Sequence, residues 1–448
     1  MNTIGVSIPN SWYSLWDFTH NPLNFMYYND FEGTRTSLYG NYKTLNIHRP
    51  YDAESLLMVG ALFETFYQLD EKTRLFAAID FKNTYQYNQF RSIEKDFYTS
   101  YIAFTDTTMG DFQYNGPLID FYFSKDFGSR VTWGLGINYG VERGIKDVFT
   151  QTASRELNSD LTTSLRFQTL SNLYVGGWVR RYHGRTSLEA VKEFQDAQVQ
   201  TWLGYTVRKI ESPGTSIEME KNKDGYQVGF TLTYQHETIP FLAYLGFSKG
   251  TEENDARKGT KSVASDRGYW QRNSSEGEIW LNYGLGKSSW SLFGIIKSNE
   301  DWGKTGVYEA LFLETEENHF LGGIALTSRL SRNIDVKSSA RFGKISYDYV
   351  NYIMTEKRSR KEDEWRITLD IEVHPYPVTS YIGGINIEKV PLHYTWEIPS
   401  LYRYLAHAGF EYQWGFNRLC PSLVWGIEKA EELGKDNTLW QIQLSVKR

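Results

Sequence analysis

The sequence has almost no cysteine, no long apolar run and no strong excess of charge of one sign. Cys420 is the single cysteine, which excludes an internal disulfide and the paired-cysteine patterns of zinc sites. A run of about 18 apolar residues is missing, which excludes a transmembrane helix. The formal net charge of −6 argues against a nucleic-acid partner.

Motifs for catalysis and metal binding are missing as well. The eight histidines are scattered and never show HExxH spacing, and the sequence has no Gly-x-Ser-x-Gly elbow. His183 is the best candidate for a hydrolase site, because three arginines lie close to it in sequence: Arg180, Arg181 and Arg185. The sequence therefore predicts a protein that is not an enzyme and has no catalytic residues, cofactor or metal.

Aromatic residues are abundant although the chain is polar overall. Phe, Trp and Tyr make up 16% of the residues, with 32 Tyr, 26 Phe and 14 Trp. The mean hydropathy is nevertheless −0.50. A transmembrane β-barrel of the bacterial outer membrane combines both properties, because half of each strand is polar and aromatic girdles mark the two interfaces.

Apolar and polar residues alternate with a period of two over unusually long stretches. The pattern recurs in residues 226–235, 365–374 and 406–415. In residues 131–142 the apolar set is Val131, Trp133, Leu135, Ile137, Tyr139 and Val141. Strands place successive side chains on opposite faces, so each segment has one apolar and one polar face.

The length of these stretches favours a membrane barrel over a soluble β protein. Strands of soluble proteins have a typical length of about 5–6 residues. A tilted strand that crosses a bilayer needs about 9–11 residues. The sequence therefore predicts an all-β, single-chain antiparallel transmembrane β-barrel, and a large soluble β protein remains the alternative.

The strand count is less well defined than the class of fold. Candidate strands number about 20, and their ends are uncertain by two to four residues. They include 199–211, 307–316 and 319–330, and between residues 211 and 330 the alternation of short turns and long loops fails. We predict about 18–20 strands, with short periplasmic turns and longer outer loops.

The chain divides into two parts by pattern. Residues 1–35 form an irregular aromatic segment that we expect to act as a plug or a cap, and residues 36–448 form the barrel. Met1 is not followed by a basic and then apolar signal sequence, so we take a signal peptide as already removed.

Three further segments depart from the strand pattern. Residues 84–115 resemble a long aromatic insertion that either folds into the barrel mouth or packs outside it. Residues 186–198 carry a capping box and helical spacing, which predict a short helix. Residues 250–276 are polar and predict a mobile loop.

The inward-facing charged residues are the predicted functional surface. A charge that faces lipid costs about 2–4 kcal/mol at the bilayer midplane, so the alternation assigns charges to the lumen. The predicted pore-lining residues are Asp80, Lys82, Glu142, Lys337, Arg341, Arg366, Asp370, Glu372, His407 and Glu411. They favour a porin-like channel or transporter for small hydrophilic or amphipathic solutes. A non-transporting scaffold for an envelope protein complex and a hydrolase at the rim are the alternatives. The expected partners are outer-membrane lipid, lipopolysaccharide and envelope proteins.

The pattern as a whole resembles the porin-like outer-membrane barrels, in particular the Tyr- and Trp-rich barrels of the Bacteroidota. Leu15-Trp16 with Asn21-Pro22 is similar to the Asn-Pro turn near the N-terminus of fatty-acid-transport barrels. The resemblance implies a location in the outer membrane of a Gram-negative bacterium. One departure is the end of the chain, Val446-Lys447-Arg448, where such barrels often carry a terminal aromatic residue.

Overall fold

A computed structural model describes most of the chain. The described residues are 23, 33–92, 94–95, 97–128, 130–147, 152–191, 200–203, 207–210, 216–236, 241–258, 265–285, 287–305, 310–376, 378–393, 400–430 and 434–447. No helix among these residues is long and apolar enough to cross a membrane.

Twenty β-strands and one 3₁₀ turn make up the described structure. The first ten strands are β1 Gly33–Thr44, β2 Ser55–Asp70, β3 Thr73–Ser92, β4 Ile102–Phe127, β5 Val131–Lys146, β6 Thr152–Leu170, β7 Leu173–Val191, β8 Gln200–Leu203, β9 Val207–Ile210 and β10 Ser216–Gln235. The others are β11 Phe241–Lys258, β12 Ser265–Leu285, β13 Ser288–Thr305, β14 Ala310–Ser331, β15 Ile334–Asn351, β16 Glu356–Tyr376, β17 Thr379–Pro391, β18 Ser400–Trp414, β19 Asn417–Ala430 and β20 Lys435–Lys447. The 3₁₀ turn is Phe97–Thr99, between β3 and β4.

The strands close into an antiparallel ring. Each of β1–β7 and β10–β20 pairs with its neighbours along the chain, and β7 pairs directly with β10. The first and last strands also pair, from Arg35 opposite Lys447 to Lys43 opposite Leu439. Strands β8 and β9 pair with each other and with the start of β4 instead. The predicted fold class is therefore confirmed, as a closed barrel of 18 strands.

The two ends of the barrel differ in their connections. The first residue of β1 and the last residue of β20 lie at the same end as the short turns. These turns join β2 to β3, β4 to β5, β6 to β7, β12 to β13, β14 to β15, β16 to β17 and β18 to β19. We call this end the turn end. The β18–β19 turn uses Gly415 at a φ of 59°, a conformation that glycine adopts without a steric penalty. The longer connections lie at the opposite end, the loop end.

Two errors among the candidate strands explain the failed alternation. Residues 307–316 and 319–330 are not two strands, because β14 runs unbroken from Ala310 to Ser331. Residues 199–211 hold the short strands β8 and β9, which are not part of the ring. The polar residues 314–318 resemble a turn in sequence. In the structure they belong to the part of β14 that extends beyond the apolar belt, where outward-facing side chains do not contact lipid and can be polar.

The predicted insertion, helix and mobile loop are strand over much of their described length, and residues 192–198 and 259–264 lie outside the described residues. Strand β3 continues to Ser92 and β4 begins at Ile102, so most of 84–115 is paired. Strands β11 and β12 extend to Lys258 and from Ser265, which leaves a short connection in place of the predicted mobile loop. The predicted helix at 186–198 is wrong over its first part, because β7 reaches Val191 and pairs with both β6 and β10. Pairing on both edges outweighs a local helical pattern.

A belt of exposed apolar side chains surrounds the ring. Each of the 18 ring strands contributes at least one large apolar residue with more than a third of its surface exposed. In strand order they include Leu38, Phe63, Phe81, Phe127, Ile137, Leu161, Val179, Phe230, Phe247, Ile279, Ile296, Phe320, Phe342, Ile367, Ile385, Phe410, Leu423 and Ile442. A soluble protein rarely exposes a contiguous apolar surface of this extent, whereas a bilayer solvates it.

The predicted boundary between the N-terminal segment and the barrel, at residue 36, lies within strand β1. Strand β1 begins at Gly33, three residues before the predicted start of the barrel. Of the preceding residues the structure describes Leu23, which is 3% exposed. The predicted plug or cap, and the Leu15-Trp16 and Asn21-Pro22 pairs, otherwise lie outside the described residues.

Candidate functional site: the lumen and its mouth

All ten predicted pore-lining residues lie on the inward face of the ring. On β3, Asp80 and Lys82 flank Phe81, which is 49% exposed on the outer face. The same alternation places the other eight inward: Glu142 on β5, Lys337 and Arg341 on β15, Arg366, Asp370 and Glu372 on β16, and His407 and Glu411 on β18. Their role in conducting solutes stays a prediction.

A continuous row of charges runs across the inner wall near the loop end. Its members are directly opposite one another on successive strands, from β15 to β19: Arg341, Arg366, Glu388, Arg403 and Glu428. We call these five residues the inner charge row. Arg341 and Arg366 are both positive. From Arg366 to Glu428 the sign of the charge alternates from one strand to the next, so ion pairs connect these members of the row.

Glu388 is the centre of the inner charge row. Its side chain is 1% exposed and accepts hydrogen bonds from Arg366 and Arg403, the latter at 2.5 Å from Nη1 to Oε1. Arg403 also reaches Glu428, at 2.7 Å. Lys43 on β1 lies 2.7 Å from the same Glu428 carboxylate. Buried charges persist only when paired, and this row pairs each of them.

Two of the five members of the row, Arg341 and Arg366, were predicted from the sequence to face the lumen. Glu388, Arg403 and Glu428 were missed, although each occupies an inward position by strand alternation. The available signal was that same alternation, read through β17, β18 and β19 together. The pairing partners themselves follow from register, which a period of two does not define.

The connection between β3 and β4 enters the lumen. Glu94 accepts a hydrogen bond from the backbone N–H of Phe104 at 2.6 Å and pairs with Lys221 on β10. Lys95 pairs with Glu142 on β5, whose carboxylate also lies 3.7 Å from Lys82. The part of 84–115 that connects β3 to β4 therefore lies inside the barrel mouth, which is one of the two predicted positions.

Tyr101 crosses the lumen to the far wall. Its hydroxyl donates to Asp301 on β13 at 2.6 Å and lies 3.1 Å from Thr315 on β14. Its ring meets Trp270 of β12 edge to face, with centroids 6.4 Å apart. Burial beside Asp301 raises the pKa of Tyr101 well above its usual value, so the phenol stays protonated and donates.

The first residues of β4 and the preceding Tyr101 form an apolar core inside the mouth together with residues of six other ring strands. Ile102 and Phe104 are completely buried. We call the set the mouth cluster: Tyr101, Ile102, Phe104, Leu188, Met219, Ala256, Trp270, Phe312, Leu313, Ile345, Tyr347 and Tyr349. Because its members come from β4 round to β15, the cluster obstructs the loop end of the lumen.

Other loops close over the same end. Tyr51, from the β1–β2 loop, stacks on Phe97 with ring centroids 4.3 Å apart, and Arg49 lies 3.6 Å above the ring of Tyr98. From the β17–β18 connection, His393 packs against Tyr347 at 5.3 Å. Burial and then the positive charge of Arg49 lower the pKa of His393 to about 3, so this imidazole is neutral at neutral pH.

A polar cavity of about 440 Å³ lies along the inner wall formed by β6, β7 and β10–β13. Its lining has both signs of charge and one aromatic ring: Asp160, Arg180, Tyr182, Lys223, Glu252 and Lys297. The guanidinium of Arg180 and the ammonium of Lys223 lie 5.1 and 5.5 Å from the centre of the Tyr182 ring. The whole lining has four Lys and Arg cations and three carboxylates, so both signs of charge are present, and amides and hydroxyls add hydrogen-bonding groups.

His183 does not lie in the lumen. It faces outward from β7, directly opposite Ser159 on β6 and Asp224 on β10. Its Nδ1 lies 3.0 Å from the Asp224 carboxylate, and the Ser159 hydroxyl is 3.5 Å from its backbone oxygen. Arg181 approaches the same carboxylate at 3.1 Å. Among the described residues, no group of three or more His, Cys, Asp or Glu side chains is arranged to hold a metal.

The closed ring, its apolar belt and its charged inner wall define a transmembrane β-barrel of the outer-membrane type. A family model matches residues 24–382, and the chain belongs to that family, described as a family of unknown function (DUF6850). No curated protein matches the sequence.

Solved structures with a similar fold are distant in sequence. The outer membrane transporter YddB from Escherichia coli is 6% identical over 94% of this chain and 81% of its own, with a TM-score of 0.42. The RagAB peptide transporter is 8% identical over 89% and 61%, also at 0.42. A Pseudomonas aeruginosa FadL homologue is 11% identical over 95% and 92%, at 0.33. Similarity at this level gives no information about the solute of this protein.

Proposed function

We propose that this protein is an outer-membrane channel or transporter for small hydrophilic or amphipathic solutes, with its loop end outside and closed by the mouth cluster. The observation that carries the proposal is the inner wall, where charges of both signs continue from β15 round to β1. A barrel whose interior served only as a filled core would gain more from apolar side chains, since buried ion pairs add little stability.

The cavity beside Tyr182 supports the choice of solute. Paired charges, amides and hydroxyls replace the hydration of a polar molecule, and an aromatic ring packs against its apolar face. A wall with strongly one-signed charge would favour ions of the opposite sign, and this wall has both signs. Small sugars and zwitterions therefore fit better than simple anions or cations.

Solute uptake by proteoliposomes tests this function. We expect vesicles that hold the protein without residues 1–30 to swell faster in a small sugar than vesicles with the full chain, because an N-terminal plug would be removed. If neither form, nor a form with a weakened mouth cluster, admits sugars or ions, the channel proposal fails. A scaffold for an envelope protein complex would then be the better reading.

Leu23 supports the plug. The nearest of its side-chain atoms lies 2.8 Å from the point where a Cβ on Gly134 would be, and Ser164 Oγ lies 2.6 Å from that point. Gly134 and Ser164 are both buried on the inward side of β5 and β6, towards the turn end. The absent side chain at Gly134 therefore leaves room for Leu23 against the inner wall.

Cysteine cross-linking tests this contact. In a Cys420→Ser background, the pair Leu23→Cys and Gly134→Cys is expected to form a disulfide on mild oxidation in most molecules, as seen by gel mobility after proteolysis. The matched control pairs Leu23→Cys with Ser154→Cys, an inward position of β6 towards the loop end. Equal cross-linking of the two pairs, or none in either, would show that Leu23 is not held at Gly134.

A second candidate function is ester hydrolysis at the outer face, and the row of Ser159, His183 and Asp224 favours it. The imidazole lies on the middle strand, with the carboxylate on one side and the hydroxyl on the other. For such a reaction the Ser159 hydroxyl would turn from the His183 backbone oxygen to the imidazole, attack the ester carbonyl carbon and pass its proton to His183 Nε2. The leaving alcohol takes that proton, and water then releases the acid from the serine.

Lipid and fluorogenic esters in mixed micelles test the second candidate. Ser159→Ala and His183→Ala are each expected to reduce hydrolysis by at least about 100-fold, which is the usual contribution of general-base catalysis. Ser187→Ala, an outward serine of β7, is the matched control and is expected to keep full activity. Hydrolysis no faster than in buffer by the unsubstituted protein would dismiss this function.

A further inference from the structure

Two arginines on neighbouring strands face outward at the loop-end edge of the apolar belt, where the exposed Ile145 is the next outward residue of β5 after Arg143. The outward-facing residues of β5 are apolar or aromatic from Val131 to Val141, and Arg143 follows them. Arg143 lies directly opposite Arg155 of β6, and both side chains are exposed. One step nearer the turn end, Val141 lies opposite Leu157 within the belt. We call Arg143 and Arg155 the arginine pair.

The arginine pair lacks the counter-charges that other arginines of this barrel have. Among the described residues, neither Arg143 nor Arg155 has an acidic partner within ion-pair distance. By contrast, Arg185 on the next strand pairs with Glu220 at 2.6 Å. Like charges directly opposite each other in a sheet repel and destabilise the pairing. An anion bound between the two guanidinium groups would replace this repulsion with attraction.

The position of the pair indicates which anion it meets. A residue at the loop-end edge of the belt is level with the lipid headgroups of that leaflet, and the long loops of such barrels face outside. Guanidinium groups bind phosphate through paired hydrogen bonds, which an ammonium group does not match. The phosphates that a Gram-negative outer leaflet offers at this depth belong to lipopolysaccharide.

A row of three residues on a distant part of the outer wall has the reverse charge. Glu300, Glu316 and Asp348 face outward from β13, β14 and β15 and lie directly opposite one another. Their carboxylates would repel a lipid phosphate. The outer wall therefore presents two adjacent guanidinium groups on β5 and β6 and three adjacent carboxylates on β13 to β15.

We propose that the arginine pair of Arg143 and Arg155 is a binding site for a lipopolysaccharide phosphate on one side of the barrel. The site is on the outer wall and does not depend on whether the lumen conducts. It depends on the barrel class and on the loop end facing outside.

Thermal unfolding in detergent with added lipopolysaccharide tests the site. We expect lipopolysaccharide to raise the unfolding temperature of the unsubstituted protein, and the double variant Arg143→Gln, Arg155→Gln to lose most of that rise. Without lipid, the double variant should unfold at the same or a higher temperature, because the repulsion between the two guanidinium groups is gone. A lower temperature without lipid would mean that the arginines stabilise the fold by themselves, against the proposal.

Controls separate the lipid from other sources of phosphate. Lys344→Gln removes an outward cation of β15, on the acidic side, and is expected to keep the full response. Dephosphorylated lipopolysaccharide should give little stabilisation in any form. If inorganic phosphate stabilises the protein as much as lipopolysaccharide does, the pair is a free-anion site and the lipid proposal fails. An equal response of the double variant and the unsubstituted protein would also overturn it.

Discussion

Replacing Tyr101 and Phe104 with serine is expected to raise the mean ion conductance of the reconstituted protein at least about tenfold. Phe104 is completely buried in the mouth cluster, and Tyr101 joins the lumen loop to Asp301 on the far wall. Removing a buried aromatic side chain costs about 3–5 kcal/mol. Because each 1.4 kcal/mol changes an equilibrium about tenfold, that loss shifts the mouth strongly towards open forms.

Planar-bilayer recording measures this effect directly. The matched control is Met109→Ser, which changes an exposed outward residue of the same strand, β4, and should leave conductance unchanged. A further rise is expected when residues 1–30 are also removed from the Tyr101→Ser, Phe104→Ser protein. If the mouth variant conducts no better than the unsubstituted protein in either background, the mouth cluster is not the barrier.

Glu388→Gln is expected to destabilise the barrel by about 3–5 kcal/mol, the cost of breaking a buried ion pair by removing one partner. Glu388 is 1% exposed and contacts Arg366 and Arg403, so the variant leaves buried positive charge without its carboxylate. The free energy of unfolding, from urea titration in detergent with mobility on unheated gels as the readout, measures the loss.

Glu372→Gln is the matched control for Glu388→Gln. Glu372 also faces the lumen, but its side chain is 20% exposed and its carboxylate lies 3.8 Å from Lys337. Looser, more solvated pairs contribute about 0–1 kcal/mol, so we expect a loss below about 1 kcal/mol. Equal losses for the two variants would show that the inner charge row is no more than a set of solvated charges.

Much of the wall could be predicted from the sequence, because alternation and lipid exposure act on each strand separately. Phe81 with its inward neighbours Asp80 and Lys82 is an example, since a single strand is enough to assign all three. The strand count was harder. The polar residues near Glu316 interrupt the apolar pattern without ending β14, because the strand continues beyond the membrane.

The closed mouth could not be predicted in detail, because it depends on contacts between residues far apart in sequence. Tyr101 meets Asp301 and Trp270 only after the ring has closed. The aromatic content of 84–115 indicated that this segment packs somewhere, and the register of the barrel determines where. Glu388 was missed for a related reason, since its importance comes from Arg366 and Arg403 on the two neighbouring strands.

Lipid and lumen faces of the wall can be distinguished by spin labels on five consecutive residues of β20, in a Cys420→Ser background: Trp440, Gln441, Ile442, Gln443 and Leu444. In proteoliposomes, collision with oxygen, which concentrates in lipid, reports exposure to the bilayer. We expect high oxygen accessibility at 440, 442 and 444 and low accessibility at 441 and 443, because only the first set is exposed on the apolar belt. Accessibility that is uniform along these positions, or highest at 441 and 443, would contradict the barrel that all the functional proposals require.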